Sequence, residues 1–143
     1  MNTIKITLNG GEDYDGIVEK ILVENDLKTT TIVIKQWDVD TYILSELKFF
    51  GIVFQALQDI TSFNLIDDIE FGKGEDLILS QLDDFLNDNP DIMLASTKDN
   101  IENDIKSQTN LQSFFFHLRY CRDWFIVCSK MTLNEITKDR NGI

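Results

Sequence analysis

The sequence predicts a single domain of the α/β or α+β class: a mixed β-sheet with helices packed on it and a C-terminal antiparallel strand pair. Three observations carry this expectation. At 143 residues, with 43% apolar and 27% charged side chains, the chain lies in the ordinary globular range and is long enough for one real core. Stretches that alternate apolar and polar residues are interleaved with stretches whose apolar residues recur every three or four positions. No repeat, low-complexity tract or linker divides the chain, and it holds one proline. The domain is expected over residues 1–137, with a loose tail over 138–143.

Thr3–Leu8 alternates, with Ile4, Ile6 and Leu8 on one face, and reads as a half-buried strand ended by Asn9-Gly10-Gly11. Asp13 or Asp15 is placed to cap a helix running to Leu27 with Ile17 and Ile21 on its apolar face. Thr29–Lys35 is β-branched through its centre and reads as a buried strand. Together these three pieces have the size of a strand–helix–strand crossover.

Asp38 and Asp40 precede a second predicted helix, Thr41 to Gln58. Its stripe is Ile43, Leu47, Phe50, Phe54 and Leu57, although Gly51 inside it also permits a strand over Phe49–Gln55. Thr61–Phe71 reads either as a short strand or as an irregular connection. Glu75–Asn87 is a helix opened by acids and buried through Ile78, Leu82, Phe85 and Leu86, then stopped at Asn89-Pro90. Asp91–Ala95 reads as a short core strand. Ser96 or Thr97 then caps a polar helix through Lys106, anchored by Ile101 and Ile105.

Gln112–Met131 concentrates the unusual side chains: the only histidine, both cysteines, two of three arginines and a run of aromatics. As a hairpin turning at Arg122-Asp123, it sets Phe114, Phe116, Leu118 and Tyr120 on one face. Phe115, His117, Arg119 and Cys121 fall on the other. That turn carries Phe125, Val127 and Met131 to the Phe114 face and sets His117 across from Cys128. A helix over Thr109–Cys121 is the competing reading. Thr132–Thr137 is expected to add a helical turn.

The formal net charge is −12, and it is unevenly spread. From Asp59 to Asp104 there are thirteen acids against Lys73 and Lys98, whereas the residues from Ile105 onward carry an excess of three positive charges. Such a field disfavours nucleic acid and anionic membranes and favours a basic protein partner. No apolar run approaches the roughly 18–20 residues that span a bilayer. Two cysteines and the lack of a signal-like N-terminus lead to the expectation of a reducing, cytoplasmic setting.

No catalytic set assembles from these residues. His117 with Cys121 or Cys128 lacks the orienting third group and oxyanion turn of a nucleophilic pair, and strand cysteines are more often buried packing. The histidine and two thiols reach three ligands at most for zinc, without a Cys-x-x-Cys pair. Asp67-Asp68-Ile69-Glu70 with Glu75-Asp76 departs from an EF-hand. No metal and no cofactor is therefore predicted. Asn9-Gly10-Gly11 lacks a phosphate-loop pattern, and Glu12, Asp13 and Asp15 repel phosphate.

Recognition remains. The expected contact face is acidic: Asp67, Asp68, Glu70, Glu75, Asp76, Asp83, Asp84 and Asp88. A second contact surface or pocket is expected from Trp37, His117, Arg119, Cys121 and Trp124. The leading expectation is an inhibitor of the immunity or antitoxin type, directed at a basic, nuclease-like toxin. A small enzyme or ligand-binding domain near His117, Arg119 and Cys121 is the alternative, and a DNA mimic the third.

Overall fold

The computed structural model describes residues 4–6, 16–38 and 41–139, with side chains over 16–36 and 42–135. The turn read at Asn9-Gly10-Gly11 and the far end of the tail lie outside the described residues. Strand β1 spans Ile4–Ile6, β2 Gly16–Glu24, β3 Thr29–Asp38, β4 Thr41–Phe50, β5 Phe54–Ala56 and β6 Leu65–Lys73. Helices α1, Glu75–Asp88, and α2, Lys98–Lys106, follow; β7 Gln112–Leu118, β8 Trp124–Cys128 and β9 Lys130–Asp139 complete the described chain. The class is α+β, and every strand pairing is antiparallel, which replaces the expected mixed sheet.

The strands run β5-β8-β7-β6-β2-β3-β4-β9, with β1 also paired to β6. β4 leads into β5 at Gly51 and β8 into β9 at Ser129, and the two bent segments pair with each other on both sides of the bend. The Ser129 N–H donates to the Phe50 carbonyl at 3.0 Å, and the Val53 N–H to the Val127 carbonyl at 2.8 Å. The sheet therefore curls back on itself. Side chains from seven of its strands meet inside: Val18, Ile32, Ile34, Leu47, Phe49, Ile66, Ile69, Phe114, Phe116, Trp124, Ile126 and Met131 among them. Phe49 of β4 packs edge-on against Phe114 and Phe116 of β7, at 5.1 and 5.9 Å between ring centres, across the curled sheet.

A second core lies on the outer face. Ile78, Leu82 and Phe85 of α1 and Ile101 and Ile105 of α2 cluster there with Phe54, Phe125 and Val127. Phe85 stacks on Phe125 at 5.6 Å and meets Phe115 edge-on at 5.9 Å. Gly72 on β6 leaves room for the Ser113 hydroxyl to reach the Gln81 side chain, a buried tie between sheet and helix. Thr97 caps α2 by accepting from the Asn100 N–H at 3.1 Å, as its place in the sequence predicts.

Several expected elements are corrected. Residues 16–27 form β2 and a 3-10 turn instead of a helix, so β2–β3 is a hairpin and not the start of a crossover. Val18 and Ile21 both pack inward because a bulge between Val18 and Lys20 turns a spacing of three into one face of a strand. Thr41–Gln58 is two strands: Ile43, Ser45, Leu47 and Phe49 are buried in alternation, then Gly51 turns the chain so that Phe54 and Ala56 are buried against the helices. Asp91–Ala95 is irregular rather than a strand, and Met93 is exposed. The expected helical turn at 132–137 and the first tail residues belong to β9.

The β7–β8 hairpin forms, but with a longer turn. Phe115 pairs with Phe125 and Phe116 with Trp124. This register differs by an odd number of residues from the expected one, so Phe125 and Val127 face the helices while Trp124, Ile126 and Cys128 turn inward.

Candidate functional site

Strand β6 carries the site because of its own bulge. Ile66 and Ile69 are both fully buried although three residues apart, and the ladder to β7 slips between Ile66 and Asp68. The extra residue leaves two consecutive acids, Asp67 and Asp68, outside the inner core. Asp68 lies directly opposite His117 on β7, and Glu70 opposite Phe115, so Asp68, Glu70 and His117 share the outer face. The Asp67 carboxylate meets the Arg119 guanidinium at 2.7 Å.

His117 is surrounded by carboxylates. Its Nε2 is 2.5 Å from Glu70 Oε1 and 3.9 Å from Asp68 Oδ1; its Nδ1 is 3.2 Å from Asp123 Oδ2. Asp123 is itself held, its other oxygen accepting from the Leu118 N–H at 3.1 Å. The ring stacks on Phe115 at 4.9 Å. The hydrogen bond to Asp123, then that to Glu70, with the charges of Asp123 and Asp68, push the imidazole up to about 9 against the opposing effect of burial. With carboxylates at both nitrogens, the ring is an imidazolium at neutral pH. Three acids around one cation leave the cluster negative by two.

The connection from Gln58 to Asn64 straps this end of the hairpin. Asp59 receives the Arg122 guanidinium through both oxygens, at 3.0 and 3.1 Å, and that contact holds its carboxyl below the usual range. The Gln58 amide donates to the Asp123 carbonyl at 2.9 Å and to Asn89 Oδ1 at 3.1 Å. The Trp124 indole N–H donates to the Gln58 carbonyl at 2.6 Å. Asp123 is thus fixed from two directions.

The residues expected as a second contact surface separate. His117 and Arg119 lie on the outer face. Trp124 is fully buried in the inner core and is removed from that surface, because the register places it beside Phe116. Cys121 accepts from the Asn64 amide at 3.4 Å. Cys128 is buried and its thiol is pushed up to about 12 by that burial, so it is no nucleophile. The side chain of Trp37 lies outside the described residues. A depression of about 260 Å³ lies between the end of α1 and the hairpin turn, lined by Asp88, Asn89, Phe115, Cys121, Arg122 and Asp123.

The expected acidic face divides into two kinds. Asp67, Asp68 and Glu70 face Arg119 and His117, and Asp83 pairs with Lys98 at 2.6 Å. Glu75, Asp76, Asp84 and Asp88 are exposed on α1 and make no ion pair among the described residues. Sequence reasoning missed Asp123 as a site residue and kept His117 apart from Asp68 and Glu70. The available signal was the acid pair between two isoleucines, since Ile66 and Ile69 share a strand face only across a bulge. No known protein family, no curated protein and no solved structure matches this chain.

Proposed function

We propose that this chain is an acidic protein-binding domain that recognises a basic protein, as an inhibitor of the immunity or antitoxin type recognises a basic, nuclease-like toxin. The outward side of α1 carries the reading. Ile78, Gln81, Leu82 and Phe85 take its buried side, leaving Asp76, Ser80, Asp83 and Asn87 along the opposite stripe, with Glu75, Asp84 and Asp88 beside it. No basic residue stands in its last turn, and Asp88 closes the helix. An acid at that end works against the helix dipole by about 0.3–1 kcal/mol. Charge placed where it costs stability fits recognition of a cation better than it fits folding.

The acids of β6 lie on the same outer face, and Asp88 borders the same depression as Asp123. A basic partner laid along α1 would meet Glu75, Asp76, Asp84 and Asp88, which are exposed there. Complementary charge of this kind speeds encounter and selects partners more than it adds affinity. The alternative, a small-molecule site near His117 and Cys121, has less support: the depression there is below the roughly 300 Å³ of a usual ligand pocket.

The test uses the whole chain as bait at low and high salt, followed by binding to the purified captured protein. The expected partner is basic, binds more weakly as salt rises, and loses at least tenfold in affinity to the Asp84→Lys, Asp88→Lys double variant. A partner indifferent to both salt and charge reversal, or no partner at all, overturns the proposal.

A further inference from the structure

Asp68, Glu70 and His117 place three donor atoms, two carboxylate oxygens and one ring nitrogen, within 4.8 Å of one another on the outer face of β6 and β7. We propose that they form a binding site for one divalent first-row transition-metal ion, with zinc and cobalt as probes. The inference stands apart from the recognition of a basic protein and does not depend on it.

Geometry carries the inference. Metal–nitrogen and metal–oxygen bonds of about 2.0–2.2 Å, meeting near the tetrahedral angle, set donor atoms roughly 3.4 Å apart. The two separations from His117 Nε2, 2.5 Å to Glu70 and 3.9 Å to Asp68, bracket that value. Glu70 has only to swing outward by about 1 Å, and its side chain is 41% exposed. Asp68 and His117 are already opposite one another on a hydrogen-bonded ladder, which fixes the spacing of their backbones.

The surroundings of the ring match those of a metal-ligating histidine. Such a ligand donates its far N–H to a carboxylate, which sets the tautomer and orients the ring. Asp123 occupies that place at Nδ1, anchored through the Leu118 N–H, and Phe115 stacks on the ring plane. Nε2 then points at Glu70 and Asp68. One nitrogen and two carboxylates are ligands for zinc, iron or manganese, and three protein ligands leave positions for water or for a group from a partner. A divalent cation at Nε2 takes the place of the proton held there, which is released, and brings the three acids and the neutral ring from a net charge of about −2 to about −1.

Chelator-stripped protein titrated calorimetrically with zinc chloride is expected to bind one ion per chain and to rise in thermal midpoint. Cobalt is expected to give visible bands of nitrogen and oxygen ligation without a thiolate charge-transfer band. Glu70→Gln, which leaves His117 and Asp123 in place, is expected to lose at least tenfold in affinity, and His117→Gln to abolish saturable binding. Asp123→Asn, which removes no ligand, is expected to weaken binding roughly tenfold to a hundredfold. Circular dichroism checks the fold of each variant, and Glu70→Gln decides alone if His117→Gln does not fold. Absence of one-to-one binding overturns the inference. So does binding unchanged in Glu70→Gln, a thiolate band with cobalt, or loss of binding in Cys121→Ser.

Discussion

His117 is held by charge, and this makes its contribution to stability depend on pH. Its folded value, about 9, lies above the ordinary 6.5 of an exposed imidazole, so the folded state binds the proton more tightly than the unfolded chain. The stabilisation is fully present below about pH 6.5 and is lost as pH rises through 9. The ring is about one third exposed, so solvent screening reduces the effect to roughly 1–2 kcal/mol. Urea unfolding of metal-free protein at pH 6.5, 8 and 9.5 is expected to show this decline. His117→Gln should flatten it; an equal decline in that variant would assign it to other groups. The chemistry of this residue was half legible: its strand and its face follow from the alternation of Phe114 to Leu118. Its partners were not, because Asp68 and Glu70 are 49 and 47 residues away and only the ladder brings them opposite.

At the scale of elements, the strands that read as helices share a cause. A spacing of four, as from Ile43 to Leu47, is even and therefore fits one face of a strand as well as one face of a helix. A spacing of three fits a strand only across a bulge, and β2 contains one between Val18 and Lys20. The bend at Gly51 completed the misreading by exchanging the buried face between Phe49 and Phe54. Gly51 is needed there. Its φ of +65° is left-handed, and an added Cβ would meet the Ser129 side chain. Gly51→Ala is expected to cost about 2 kcal/mol or more, read from the urea midpoint. Adding Ser129→Gly should recover the steric part and leave the conformational part. An unchanged midpoint in Gly51→Ala would mean that the corner is not held as described. Helix α1 was readable because its stripe of Ile78, Leu82 and Phe85 contains spacings of four and three together and Pro90 marks its end, and α2 because Thr97 caps it.

At the scale of the molecule, charge and stability pull in different directions. The inner core is built by the strands, and the outer one by the two helices packed on Phe54, Phe125 and Val127 of the sheet. Replacing acids in the last two turns of α1 with lysine relieves the unfavourable dipole contact. Asp88→Lys is expected to raise stability by about 0.3–1 kcal/mol in thermal or urea unfolding while weakening capture of a basic partner. A variant that gains neither stability nor loses binding would place the function elsewhere. The asymmetry of charge along the chain was plain in the sequence. That the acids of β6 are met by His117 and Arg119, leaving Glu75, Asp76, Asp84 and Asp88 of α1 exposed, depended on which strands lie side by side.

Local patterns determined both helices, the Thr97 cap of α2, a C-terminal hairpin and the acidic middle of the chain, because each rests on residues within a turn or two of one another. The strand order, the two bulges, the curl at Gly51 and Ser129, and the meeting of Asp68, Glu70, His117 and Asp123 belong to the tertiary structure alone. Antiparallel pairing between distant segments chooses its register by which side chains fill the core. A shift of one residue would turn every outward acid inward. Burial of Ile66 and Ile69 on one side decides that Asp68 and Glu70 face His117 on the other.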